Sequence, residues 1–203
     1  MRDLQVEAKV NKLVLCALAA LIGGGMLQAP LASARAEMLS SSEGLEPGLG
    51  VCYINGMIRH IDEMAGWEDQ VKCRPGPPLP TVDYKVGKKT VLTSRFSDGV
   101  MAIITGYIHL DQVGEYGFLF ASNDGVRLEI DGKQIVEDPD VHSDRYSDIG
   151  TFDVKTPGWY PLTIRYFERK NTSTLRFFWQ PPGYEGTMPI VPGDALAHKP
   201  EAS

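Results

Sequence analysis

The chain has little of what catalytic and metal centres are made from. Three cysteines and four histidines are spread over 203 residues, and no HExxH, GxSxG or phosphate-cradling glycine loop accompanies them. His60, His109, His142 and His198 therefore lack the partners that make a nucleophile or an oriented base. Paired carboxylates alone can hydrolyse glycosides, but 26 acidic residues supply such pairs by composition. The expectation is a chain that is not an enzyme, with a glycoside-active enzyme as the last alternative. A Lys/Arg cluster is missing too, and the net charge is −6. Without a basic footprint, nucleic acid and anionic membrane are poor partners.

Long apolar runs are confined to the beginning. Arg2, Lys9 and Lys12 precede an apolar stretch from Leu13 to Leu27, followed by Ala32-Ser33-Ala34-Arg35-Ala36. That order is the tripartite pattern of a secretory signal, with cleavage after Ala34 or Ala36. The run is short of the ~20 residues of a spanning helix and is broken by Gly23-Gly24-Gly25, so no transmembrane span is expected in the mature chain. Losing residues 1–36 removes more bases than acids, which leaves the remainder more acidic. Cys52 and Cys73 are then the two cysteines left, and in an oxidising compartment they read as a disulfide. Zinc ligation would need further thiol or imidazole ligands nearby, and none follow.

The expected organisation is a signal over 1–36, a flexible leader over 37–48, one domain over 49–198 and a tail over 199–203. Met57, Ile58, Ile61, Met64 and Trp67 have partly helical spacing and suggest one short helix or turn. Arg74-Pro75-Gly76-Pro77-Pro78-Leu79-Pro80 reads as a stiff extended connector, since proline lacks a donor. From Val100 onward the period is two. Tyr116, Phe118 and Phe120 alternate, as do Val126, Leu128 and Ile130, and Asp131-Gly132 marks a hairpin. Tyr160, Leu162, Ile164 and Tyr166 share a face, and so do Leu175, Phe177 and Trp179. Short antiparallel strands without long helices between them predict an all-β fold, an antiparallel β-sandwich or barrel.

The run Gly114-Glu115-Tyr116-Gly117-Phe118, with Ser122-Asn123-Asp124-Gly125-Val126-Arg127-Leu128-Glu129-Ile130-Asp131-Gly132-Lys133, resembles the protective-antigen (PA-fourteen) domain family. The likeness continues through Trp159–Glu168, Leu175–Trp179 and Ile190-Val191-Pro192, and covers about residues 98–196. It implies a single antiparallel β-sandwich, with Gly125 and Gly132 supplying positive-φ positions. It also implies a ligand site: in adhesins of the family, adjacent acidic residues at the place of Asn123-Asp124 hold a calcium ion that holds sugar hydroxyls. By position Glu168 is the counterpart of a further metal ligand, and Asn171 lies in the same loop. The resemblance thus gives Asn123, Asp124, Glu168 and Asn171 as ligand-binding residues, the first three as calcium ligands.

Asn123 brings no charge, and Arg169 and Lys170 flank Glu168, whereas calcium prefers six to eight oxygens, several anionic. The competing reading makes Asp124 a turn cap for nearby backbone donors. The acidic loop Glu137–Asp144 reads as a solvated loop, and Trp67, Tyr146 and Tyr184 as exposed aromatics for a sugar or a partner. Two functions follow: an exported carbohydrate-binding module, including a calcium-dependent adhesin, or an interaction subunit that binds another envelope or surface protein. Either is expected in the periplasm, at the cell surface or secreted.

Overall fold

The computed structural model describes residues 36–200. The expected export signal, but for Ala36, and the last three residues of the expected tail lie outside these.

Chain order gives β1 (Glu46–Pro47), β2 (Leu49–Asn55), α1 (Glu63–Gln70), β3 (Arg74–Leu79), β4 (Asp83–Val86), β5 (Val100–Leu110) and β6 (Gly114–Asn123). It continues with β7 (Val126–Ile130), β8 (Lys133–Asp138), β9 (Arg145–Tyr146), β10 (Gly150–Val154), β11 (Gly158–Glu168), β12 (Ser173–Gln180) and β13 (Leu196–His198). One sheet runs β1-β13-β5-β11-β7-β8, with β2 on β5 and β3 on β2. The other runs β10-β6-β12-β4, with β9 on β6. All the strand pairs are antiparallel.

Alternation explains why the sheets close on each other. In β6, Tyr116, Phe118 and Phe120 are fully buried; in β11, Tyr160, Leu162, Ile164 and Tyr166 are buried. They meet Phe177 of β12, whose ring stacks on Phe120 at 4.6 Å and on Phe118 at 5.8 Å. Such aromatic pairs add about 1 kcal/mol each beyond the area they bury. Asp131 (φ 49°) and Gly132 (φ 64°) turn β7 into β8 as the hairpin signal predicts. Gly125 departs from expectation. Its φ is not positive; the space is what it supplies, for a Cβ there would stand 2.4 Å from the Phe167 ring and 2.8 Å from the Pro139 carbonyl.

The N-terminal part is bound more closely than its sequence implies. Val51–Asn55 form a strand because β2 lies on the long β5, and of the residues with helical spacing Met57, Ile58 and Ile61 precede the helix, which begins only at Glu63. Glu63 starts it by accepting the amides of Arg59 and His60. Trp67, expected at the surface, packs with Met64, Met101 and Phe167 in a second small core outside the main sheet. The proline-rich segment is an edge strand rather than a connector: β3 pairs with β2 and with no other strand, the position proline tolerates. Within 37–48, Leu39 exchanges backbone hydrogen bonds with Trp159, and Glu46-Pro47 pair with β13.

Cys52 and Cys73 are bonded, with Cα atoms 5.5 Å apart. The bridge spans 21 residues that contain α1. Loop-closure entropy for that span is on the order of 3 kcal/mol. Replacing both cysteines by serine is therefore expected to lower unfolding free energy by about that amount, read from urea unfolding of the oxidised parent and the double variant. An unchanged midpoint would show that the bridge constrains nothing in the unfolded chain.

Candidate functional site

β6 ends at Asn123 and β7 begins at Val126, so Asn123 and Asp124 form the corner between the two sheets. The Asn123–Asp124 peptide is cis. Tyr166, buried in β11, donates its hydroxyl to the Asn123 carbonyl. Asp124 is 3% exposed. Its Oδ1 accepts the His142 amide at 3.0 Å and its Oδ2 the Arg169 amide at 2.8 Å. It does cap backbone donors, but the donors lie 18 and 45 residues away. The carboxylate is thus a tie between two loops rather than a local turn. Burial raises its pKa, against the pull of the two amides.

The two loops so tied wall a shallow depression of about 330 Å³. One wall is Val141, His142 and Ser143; the other is Arg169 to Thr172. Asp98 fixes the second wall by accepting the Asn171 amide at 2.8 Å, while the Gly99 amide donates to the Arg169 carbonyl. Asn171 has φ 79°, a left-handed conformation that asparagine tolerates. The amide nitrogen of Asn123 donates to Asp144 Oδ1 at 3.1 Å and to Thr172 Oγ1 at 3.2 Å. Asp144 is also paired with Lys85 at 3.1 Å. Burial raises the Asp144 pKa, but hydrogen bonds from Asn123, Lys85 and Thr174 outweigh it and hold the carboxyl below its ordinary value.

Of the four residues the sequence pointed to, Asn123, Asp124 and Asn171 line the depression. Glu168 is not among its lining residues. It sits at the end of β11 opposite Val100, 1% exposed, and neither carboxylate oxygen has a hydrogen-bond partner. Burial, then Asp98 and Asp124, push its pKa from 4.5 to about 7; the Gly99 amide, already given to Arg169, offsets part of this.

These residues do not suit a calcium ion. The depression offers one carboxylate, both of whose oxygens already accept amides, and Arg169 and Lys170 stand beside it. Among the described residues no group of three or more His, Cys, Asp or Glu side chains is placed to hold a metal ion. The acidic loop is largely exposed, as expected, but several of its carboxylates are paired. Asp138 is buried and pairs with Arg145, its other neighbour being His142 Nε2 at 3.2 Å, while Glu137 pairs with Arg127. Sequence reasoning missed Lys85 and Thr172 here, whose positions depend on pairing between β4, β6 and β12.

Two antiparallel sheets closed over an aromatic core, with a loop-walled depression at one end, define an antiparallel β-sandwich domain. Residues 93–191, just under half of the chain, match the model of the PA14 domain. The fold is similar to an anti-sigma factor domain-containing protein, at 20% identity over 74% of this chain and TM-score 0.61. This chain covers 48% of that one, about half its length. It is similar also to the PA14 sugar-binding domain from an RTX adhesin, at 17% identity, 75% of this chain, 98% of that chain and TM-score 0.58. A third is the Epithelial Adhesin 9 A domain from Candida glabrata in complex with Galb1-4GlcNAc, at 12% identity, 81% and 95% coverage and TM-score 0.61. At these identities the likeness is one of fold. No curated protein sequence matches the chain.

Proposed function

We propose that the chain is an exported, non-catalytic recognition module that binds carbohydrate in the depression between residues 141–143 and 169–172. The observation that carries this reading is Asp124, which holds the two loops together through their backbones and so preforms the concavity. Solved relatives described as a sugar-binding domain and as an adhesin bound to Galb1-4GlcNAc support carbohydrate as the ligand class. Recognition here is direct: polar groups of Asn171, Thr172 and Lys170 meet the sugar, without calcium. The disulfide supports the export reading of residues 1–36, since oxidising compartments preserve such bonds.

A glycan array probed with the parent and with Asn171→Gly tests this. Glycine keeps the left-handed backbone and removes the amide. Binding is expected to fall at least tenfold in the variant and to be unchanged by a calcium chelator. A chelator that abolishes binding would return calcium to the site, and an array without a bound glycan would sink the carbohydrate reading.

One observation favours a second reading. Val141, Tyr146 and Ile149 are 42%, 65% and 57% exposed within nine residues that run from the wall of the depression along β6, past Ala121 to Gly117, and such exposed apolar side chains suit another envelope or surface protein. Capture of a partner from an envelope fraction, lost on Tyr146→Asp, is the outcome that would put this reading first.

A further inference from the structure

Away from the depression, the residues around the disulfide build a second concavity. Tyr53 of β2 and Arg74 of β3 are register partners, which sets their side chains on one face. Gly76 makes room for the Tyr53 ring, since a Cβ there would stand 2.4 Å from it. The ring is then fixed by its hydroxyl, 2.7 Å from Thr93 Oγ1 and accepting the Thr93 amide at 3.0 Å, while Thr93 Oγ1 donates to the Pro77 carbonyl at 2.8 Å. This network holds Arg95 and Phe96 over the strand pair, with the guanidinium 5.2 Å from the Phe96 ring centre.

Two adjoining hollows of about 290 and 370 Å³ share Tyr53, Arg74, Arg95 and Phe96, and the second adds Lys72. No aspartate or glutamate lines either one. Four arginines elsewhere, Arg127, Arg145, Arg165 and Arg176, pair with carboxylates. Among the described residues Lys72, Arg74 and Arg95 have no ion-pair partner. In a chain of net charge −6, three unpaired cations around one groove are a local reversal of sign.

We propose that this groove is a second ligand site, which takes a short oligosaccharide bearing a carboxylate or sulfate ester. Guanidinium forks recognise such planar or tetrahedral oxyanions by paired hydrogen bonds, and Phe96 with the Pro75 and Pro77 rings offers apolar faces for the sugar's C–H groups. A peptide strand fits less well, because Pro75, Pro77 and Pro78 strip the free edge of β3 of the donors that strand addition uses. A long polyanion is disfavoured by the chain's net charge of −6.

The test is titration calorimetry of the full chain with uronic-acid and sulfated disaccharides, their neutral counterparts, inorganic sulfate and a peptide of matched negative charge. Acidic disaccharides are expected to bind the parent and to bind at least tenfold more weakly to Arg74→Gln/Arg95→Gln, and several-fold more weakly to Lys72→Gln. Asn171→Gly, which reads the depression at the other site, is expected to leave this binding unchanged. Equal affinity of the parent and the double variant overturns the proposal. So does a peptide that binds as tightly as the disaccharides, or inorganic sulfate that displaces them at equal concentration.

Discussion

Replacing Glu168 by glutamine is expected to stabilise the domain at pH 8 and to flatten its pH dependence. The folded carboxyl has a pKa of about 7 against an ordinary 4.5, so the folded state holds this proton more tightly than the unfolded one. Its favourable contribution is complete below pH 4.5, falls as pH rises, and is gone above about pH 7. A gap of that size corresponds to roughly 3 kcal/mol, carried by a side chain 1% exposed and without a hydrogen-bond partner. Glutamine is neutral throughout and brings donors that face Asp98 and Asp124. Urea unfolding of both proteins at pH 4.5, 6 and 8 decides it. A parent whose stability is flat over that range, or a variant less stable at pH 8, contradicts the account.

Asp124→Ala is expected to cost about 3 kcal/mol and to abolish ligand binding in the depression together. Removing the carboxylate strands the amides of His142 and Arg169, and each buried donor left unsatisfied costs about 1–3 kcal/mol. The same loss frees the two walls, so the concavity is no longer preformed. Asp124→Asn keeps one acceptor and is expected to fall between parent and alanine in both measurements. Melting curves beside glycan titration check the coupling. A variant that loses only the ~1 kcal/mol of one local hydrogen bond, with binding intact, would reduce Asp124 to an ordinary turn residue.

The fold was legible where one face of a strand is buried and the other wet. Val126, Leu128 and Ile130 announce β7, and Asp131-Gly132 announces its hairpin, because period and turn chemistry are local properties. β2 was harder to see, since its pairing with β5 joins residues about fifty apart. At the candidate site, Asn123 and Asp124 could be found from the family signature. Glu168 was placed in the loop by its position in the family pattern. Yet the sequence held the contrary signal: Tyr160, Leu162, Ile164 and Tyr166 step by two on the core face, and Glu168 is the next term of that series. The basic groove was not legible at all, for Lys72, Arg74 and Arg95 are brought together by a disulfide and a strand pairing that no local pattern encodes.

The pairing of β1 with β13 sets Glu46 beside His198, so the strands through which the chain enters and leaves the sandwich are neighbours in one sheet, about 5 Å apart. A domain whose two ends meet in this way is a cassette. It can interrupt a surface loop of a carrier protein without prising the carrier's own flanking residues apart, and can equally be strung in series with copies of itself. The short terminal strands then serve as a clasp. They close the module on itself, so that its first and last strands are held at one place in the sheet rather than at opposite edges.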